Sequence, residues 1–280
     1  MGPGLLSEFI EKSYIPYIRE HKRSWQTDVR YLRRHVLPSL GAYPLSAVTA
    51  DALYKWREEL LGAGLSQSTC YRLFWLMKYV LNCAVRWQVL ADDAAFCDVV
   101  CPRTTPRRPE MLSHEEMLHL VSLLRQHENH ASARAIHLLL LTGASKSEIL
   151  YARWEDVDFN RSVLVTHRTP SGEVRDIPLS EEGVRLIRSL PRRADVPWLF
   201  FRPSTGERVV SVFSFWNKIR LELGRPSLRL NDLRHVFVHT LLQSGATYRQ
   251  IRNRLGHYSS EVFFLQSRGP CTSVQGACGE

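Results

Sequence analysis

Apolar residues recur at three- and four-residue spacing through the first hundred positions. The clearest run is 68–90, where Leu73, Leu76, Met77, Val80, Leu81, Ala84 and Val85 share one helical face and Arg72, Lys78, Asn82 and Arg86 interrupt the other. Three earlier helices are expected. The first covers 7–20, interrupted at Pro16. The second covers 24–40, with Ser24 as cap and Gly41 as stop. The third covers 50–61, capped by Thr49 and stopped by Gly62 and Gly64. Four helices joined by short loops make a small bundle.

Residues 101–109 hold three prolines and three arginines, which no helix interior tolerates. This stretch reads as an extended basic linker, placed at 101–110, that either lies along a phosphate backbone or serves as a solvated tether. Beyond it the period changes. Ser113 and Glu116 form a capping box ahead of a helix over 114–127, and a second helix follows over about 131–141. Alternating residues at 162–167 and 173–179 predict two strands joined by a turn at 169–172, with a short third strand at 157–159. Ser180 caps a helix to about 190, and further helices are expected over 212–223, 231–244 and 248–255. Residues 267–280 lack any periodicity and read as a fraying tail. The fold class is therefore mainly α with a small antiparallel sheet. The expected domains are a helical one over 1–100, a mixed one over 111–266, and a divergent tail over 267–280.

Charge narrows the partner. The 280 residues carry a net +9, split +4 through residue 110 and +5 beyond it, and 31 of the 37 cations are Arg. Arginine presents a flat fork of donors that matches phosphate oxygens in pairs, so a polyanion shared by both domains is one reading and two ordinary basic surfaces is the other. No apolar stretch reaches the roughly 20 residues of a membrane span, and the start of the chain lacks a signal-type core. A cytoplasmic, nucleoid-associated location without a membrane partner is expected. The six cysteines form no Cys-x-x-Cys and no zinc spacing. Cys70 and Cys83 fall in the apolar helical run and read as small core residues.

Four segments then occur in order: 140–150 (LLTGASKSEIL) followed by 154–158, the strand ending Arg175-Asp-Ile-Pro-Leu179, Asn231-Asp-Leu-Arg-His235, and Leu255-Gly-His257. Together these resemble the tyrosine recombinase (phage integrase) family over nearly the whole chain. The helical first domain, with Ser66-Gln-Ser-Thr69 opening its long helix, is similar to that family's core-binding domain. The resemblance implies a tyrosine that attacks a DNA phosphodiester, arginines that hold the non-bridging oxygens, and a lysine and histidine-type groups for hydrogen bonding and proton transfer. It implies no metal and no cofactor.

Residue by residue, the carry-over is incomplete. The place of the first arginine holds Ser145, with Lys146 beside it. The hairpin lysine position falls on Pro170. Asn231 stands where the His of His-x-x-Arg is expected, while Arg234 is retained; His235 is adjacent but about 100° around the helix. His257 matches the late histidine. The nucleophile position falls on Gln266, or with a small gap on Phe263 or Phe264, and no tyrosine follows Tyr258 within the 280 residues. Four of six expected groups are thus replaced, and Arg234 and His257 remain. Each lost charge-stabilising donor typically removes about 10²–10³ in rate.

The expectation is a double-stranded-DNA-binding protein on a recombinase scaffold, associated with recombination or integration but deficient in cleavage. Candidate DNA contacts are Arg234, His257, Lys146, Arg72 and Arg30. An active tyrosine recombinase is a conceivable partner chain, and the divergent tail predicts weak self-assembly. Two alternatives stay open: an enzyme using Tyr258 or a partner-supplied tyrosine, and an eroded remnant that binds nothing specific.

Overall fold

The computed structural model describes residues 4–91, 107–167 and 174–255. The chain divides into two compact units, Met1–Arg107 and Arg108–Glu280. The expected linker residues 101–106, the turn 169–172 and the tail lie outside the described residues.

In the first unit, α1 (residues 6–21) and α2 (residues 25–40) both run through a proline. Each opens as α-helix, widens to a π turn at Ile10–Tyr14 or Leu32–Val36, and resumes as α-helix. Pro16 and Pro38 each stand two residues beyond their π turn. A proline offers no N–H and its ring meets the carbonyl four residues back; the wider turn accommodates both. Pro16 therefore does not interrupt the first helix, contrary to the sequence expectation. Ser24 sits at the start of α2, but its side chain makes no capping hydrogen bond.

Helix α3 (Ala50–Gly62) starts as expected, with the Ala52 amide donating to Thr49 Oγ1 at 3.3 Å. Helix α4 (Gln67–Arg86) begins one residue earlier than its periodicity suggested and ends four earlier, because Ser66 accepts from the Thr69 amide and the chain turns at Gln88 with φ +59°. Leu73, Phe74, Met77, Val80 and Leu81 of α4 pack with Tyr14, Ile18, Leu32 and Trp56 in one apolar core. Cys70 and Cys83 are buried free thiols within it.

The second unit is organised around α6 (Ala131–Thr142), most of whose residues are buried. It packs against α5 (His114–Gln126), α7 (Lys146–Leu150), α8 (Glu181–Arg188), α9 (Phe213–Glu222) and α10 (Asp232–Gln243). The capping box of Ser113 and Glu116 forms as expected, and Ser180 accepts from the Gly183 amide. Strands β1 (Val157–Asp158), β2 (Val163–Thr166) and β3 (Arg175–Pro178) make an antiparallel sheet in chain order, pairing Val157 with Leu164 and Leu164 with Ile177. Helix α11 (Tyr248–Leu255) buries Ile251 and Leu255 against Val238 and Phe237 of α10. Among the described residues no helix is long and apolar enough to cross a membrane, and no group of three or more His, Cys, Asp or Glu is placed to hold a metal ion.

Candidate functional site

The segment from Thr142 to Glu148 shows why its residues sit in that order. Helix α6 must end sharply before α7 begins. Buried Thr142 donates from Oγ1 to the Leu138 carbonyl at 2.6 Å and accepts the Ala144 amide at 3.3 Å. Gly143 follows with φ +63°, and a Cβ there would stand 2.3 Å from Phe237 Cδ1. The left-handed backbone and the close ring both demand glycine. Ser145 then caps α7: the Glu148 amide donates to its Oγ at 3.3 Å, and its own amide donates to Glu148 Oε2 at 2.6 Å. This is a second capping box, and Ser-x-x-Glu at 145–148 carries the same signature that marked 113–116.

Glu148 is 4% exposed and gathers the charges around it. Arg175 of β3 donates from Nε to Glu148 Oε1 at 2.7 Å and from Nη1 to the Arg254 carbonyl at 2.6 Å. Arg175 Nη2 is buried without an acceptor. Arg234 of α10 donates from Nη1 to the Gly143 carbonyl at 2.8 Å and from Nη2 to the Leu255 carbonyl at 2.7 Å, and stands 4.0 Å from Glu148 Oε2. Burial alone would push the Glu148 carboxyl up. The hydrogen bond from Arg175, those at Ser145 and the Arg175 charge outweigh it, and the group lies below its ordinary value. Two arginines from separate elements thus join the buried carboxylate to the last carbonyls of α11, where the helix dipole is negative.

Beside this network opens a cavity of about 270 Å³, lined by Leu139, Ala144, Lys146, Phe213, Leu230, Asn231, Leu233 and Arg234. Three residues singled out from the sequence, Lys146, Asn231 and Arg234, therefore meet at one place, with Ser145 adjoining Lys146. Lys146 and Asn231 are exposed; Asn231 occupies the N-cap of α10 without a capping hydrogen bond from its side chain. His235 is partly buried, and burial holds its ring below the usual histidine range. Arg30 and Arg72 are exposed in the first unit, with the Arg72 guanidinium 5.3 Å over the Tyr31 ring. Pro170, His257 and Gln266 lie outside the described residues.

Residues 110–263, just over half the chain, match the phage integrase family. The chain belongs to that family. This integrase-family chain is 28% identical over 212 residues to prophage integrase IntF of Escherichia coli K12, covering 72% of this chain and 45% of that protein. It is 29% identical over 174 residues to tyrosine recombinase XerA of Pyrococcus furiosus, covering 60% of each. The match to tyrosine recombinase XerC of Alcanivorax borkumensis is 24% identical and covers 78% of this chain and 74% of that one. The chain thus spans about half the length of the first two relatives. In fold it resembles the Tn1549 transposon integrase, solved with circular intermediate DNA (TM-score 0.70, 19% identity, 96% of each chain covered). It also resembles a lambda integrase dimer bound to a core site (TM-score 0.71, 11% identity, 97% of this chain and all of that one covered).

The mainly helical architecture with a small antiparallel sheet is the one expected from the sequence. Two features of the site were missed there. The Ser145–Glu148 box was readable from its spacing. The tie from Arg175 to Glu148 was not, because 27 residues separate them and no local pattern links a strand arginine to a helix carboxylate.

Proposed function

We propose that this chain binds double-stranded DNA on a recombinase scaffold, takes part in site-specific recombination or integration as a binder, and does not itself cleave the strand by the family chemistry. The observation that carries the reading is the position after Thr142-Gly143-Ala144. A short hydroxyl stands there, engaged by the Glu148 amide, where the resemblance calls for a guanidinium aimed at a phosphate. Asn231, also in the cavity wall, replaces a proton-transfer group with an amide that has no titratable proton near neutrality.

What the site retains suits holding an anion. Lys146 is exposed and lines the cavity. Arg234 lines the same wall with both Nη atoms engaged by carbonyls, so it adds positive potential to the cavity while exposed Lys146 is the readier direct partner for a phosphate. Arg30 and Arg72 supply backbone contacts from the first unit, which fix position on a duplex without chemistry. The family's solved members named above were captured on DNA, which agrees with this reading. The cytoplasm is where such a protein meets its duplex, and an active recombinase on the neighbouring half-site is the partner it needs for strand exchange.

The test has two steps. Selection from random duplexes gives the preferred site, and a nicked version of that site traps any covalent intermediate. The expected result is sequence-preferring binding, with log affinity falling roughly linearly against log salt, and no protein–DNA adduct surviving detergent. An adduct through any tyrosine of this chain overturns the proposal in favour of an enzyme. Binding without preference over bulk DNA overturns it in favour of an eroded remnant.

A further inference from the structure

Helix α4 presents an unusual solvent face. Residues 60–91 contain no Asp or Glu, while Arg72, Lys78 and Arg86 are all on α4. Arg72, Trp75, Tyr79, Asn82 and Arg86 are exposed and spaced three and four apart, so they form one stripe; Tyr71 and Lys78 flank it, partly exposed. The stripe is about 21 Å long, the rise of roughly six base pairs. Trp75 is 47% exposed and Tyr79 44%. A tryptophan half in water on a helix with a complete apolar face of its own has no part in the core.

Cations lie over these rings. Lys78 Nζ is 5.8 Å from the Trp75 centroid; Lys22 Nζ, 5.5 Å from that of Tyr79, is held by an ion pair with buried Asp28 and stays with the bundle. Arg72 lies over Tyr31, and Arg86 lies 5.7 Å over Tyr17 while donating to its hydroxyl at 2.9 Å. Tyr71 meets Trp75 edge-on at 6.2 Å. An exposed cation–ring contact is weak, and a phosphate oxygen is the stronger partner for a guanidinium or ammonium. For Arg72, Lys78 and Arg86 a phosphate row alongside α4 is a stronger partner than a ring face, and Trp75 is the exposed ring that stands among them. Only nucleic acid offers an anionic row flanking flat, partly apolar edges; an acidic protein face supplies the charge without the edges.

We infer that α4 reads its duplex through Trp75, which packs against the apolar major-groove edge of a base, the thymine methyl, while Arg72, Lys78 and Arg86 take the flanking phosphates. This rests on the duplex binding proposed above and adds which side chain discriminates between sequences. The thymine methyl is the apolar group of the major groove, and an α-helix with its side chains matches that groove in width.

The experiment uses the full chain and the duplex obtained by selection, with each thymine replaced in turn by deoxyuridine, which removes only the methyl. For the wild type, one such replacement is expected to weaken binding about fourfold. Trp75→Ala is expected to lose about tenfold on the selected site, to keep its affinity for bulk DNA, and to be indifferent to the same deoxyuridine. Trp75→Phe retains part of the effect. Since Trp75 is exposed, circular dichroism and the melting temperature should be unchanged. A Trp75→Ala variant that keeps the wild-type affinity and deoxyuridine profile overturns the inference and leaves duplex binding standing. A wild type without sequence preference removes the proposed function, and this inference with it.

Discussion

The exposed face of α4 and the cavity beside Arg234 are both rich in cations, and they use them in opposite ways. On α4 Arg72, Lys78 and Arg86 lie over aromatic rings at the surface, and the two arginines have no carboxylate partner among the ion pairs of the described residues. At the cavity Arg234 and Arg175 are bound to three backbone carbonyls and drawn to one buried carboxylate. Whether an arginine is available to an anion is thus decided by the acceptors already around it, and membership of a motif does not settle that. Arg234 joins the Gly143 carbonyl at the end of α6 to the Leu255 carbonyl of α11, a structural task that holds the arginine in place whatever else it binds.

The largest expected effect comes from removing the acceptor. Glu148→Ala leaves Arg175 and Arg234 without their carboxylate in a buried setting, and should cost about 3–5 kcal/mol in urea or thermal unfolding. A loss under about 1 kcal/mol would show that the two arginines find other partners and that the contrast with α4 is overdrawn.

Exchanging single arginines sharpens the contrast further. Arg234→Ala leaves the Gly143 and Leu255 carbonyls without their charged donor and should cost about 2–3 kcal/mol of stability. Arg72→Ala should stay within about 0.5 kcal/mol of the wild type in stability. It should instead lower the slope of log affinity against log salt by about one. Denaturation curves and fluorescence anisotropy across a salt series on the same two proteins measure both. If Arg234→Ala melts like the wild type, its hydrogen bonds are incidental.

Next in size is the cap. Ser145→Ala should cost about 1 kcal/mol, similar to Ser113→Ala at the other box. Ser145→Arg should lose the same cap and still give no covalent adduct on a nicked site, since other expected groups are also replaced. An adduct from that variant alone would mean that the missing guanidinium was the whole deficiency.

The same residues show how far a sequence carries such an argument. The helices were legible because period and caps agree: Thr49, Ser113 and Ser180 each mark a start that the backbone uses. Pro16 misled, because a proline normally ends a helical run and nothing local announces a π turn. At the site, the meeting of Lys146, Asn231 and Arg234 was implied by the family resemblance of the motifs that carry them. What Arg234 touches was not, since its acceptors are carbonyls at Gly143 and Leu255, and every residue has a carbonyl. Pairing between a side chain and a distant backbone atom leaves no trace in composition or spacing. The aromatic stripe of α4 was half visible: Arg72, Lys78, Asn82 and Arg86 stood out as the polar face, while Trp75 and Tyr79 are apolar by type and become informative only once they are seen in solvent.

The smallest effect is a pH dependence that separates the interior of the second unit from a surface such as that of α4. His137 on α6 is 6% exposed, with Nε2 lacking a hydrogen-bond partner and 3.6 Å from Glu182 Oε1. Burial holds its ring below the ordinary 6.5, against the pull of Glu182 and with the help of Arg125. A histidine with a depressed folded pKa binds fewer protons folded than unfolded, so its contribution to stability is complete above about pH 6.5 and is lost as pH falls from there through the folded value. Glu148, depressed from 4.5, adds a second loss of the same sign further into acid. The wild type should therefore melt lower at pH 5.5 than at pH 7.5, and His137→Gln should flatten that difference without altering the loss below about pH 4.5. A variant that keeps the full drop between pH 7.5 and 5.5 would place the titrating group elsewhere, with His235 the next to test because burial depresses it in the same direction.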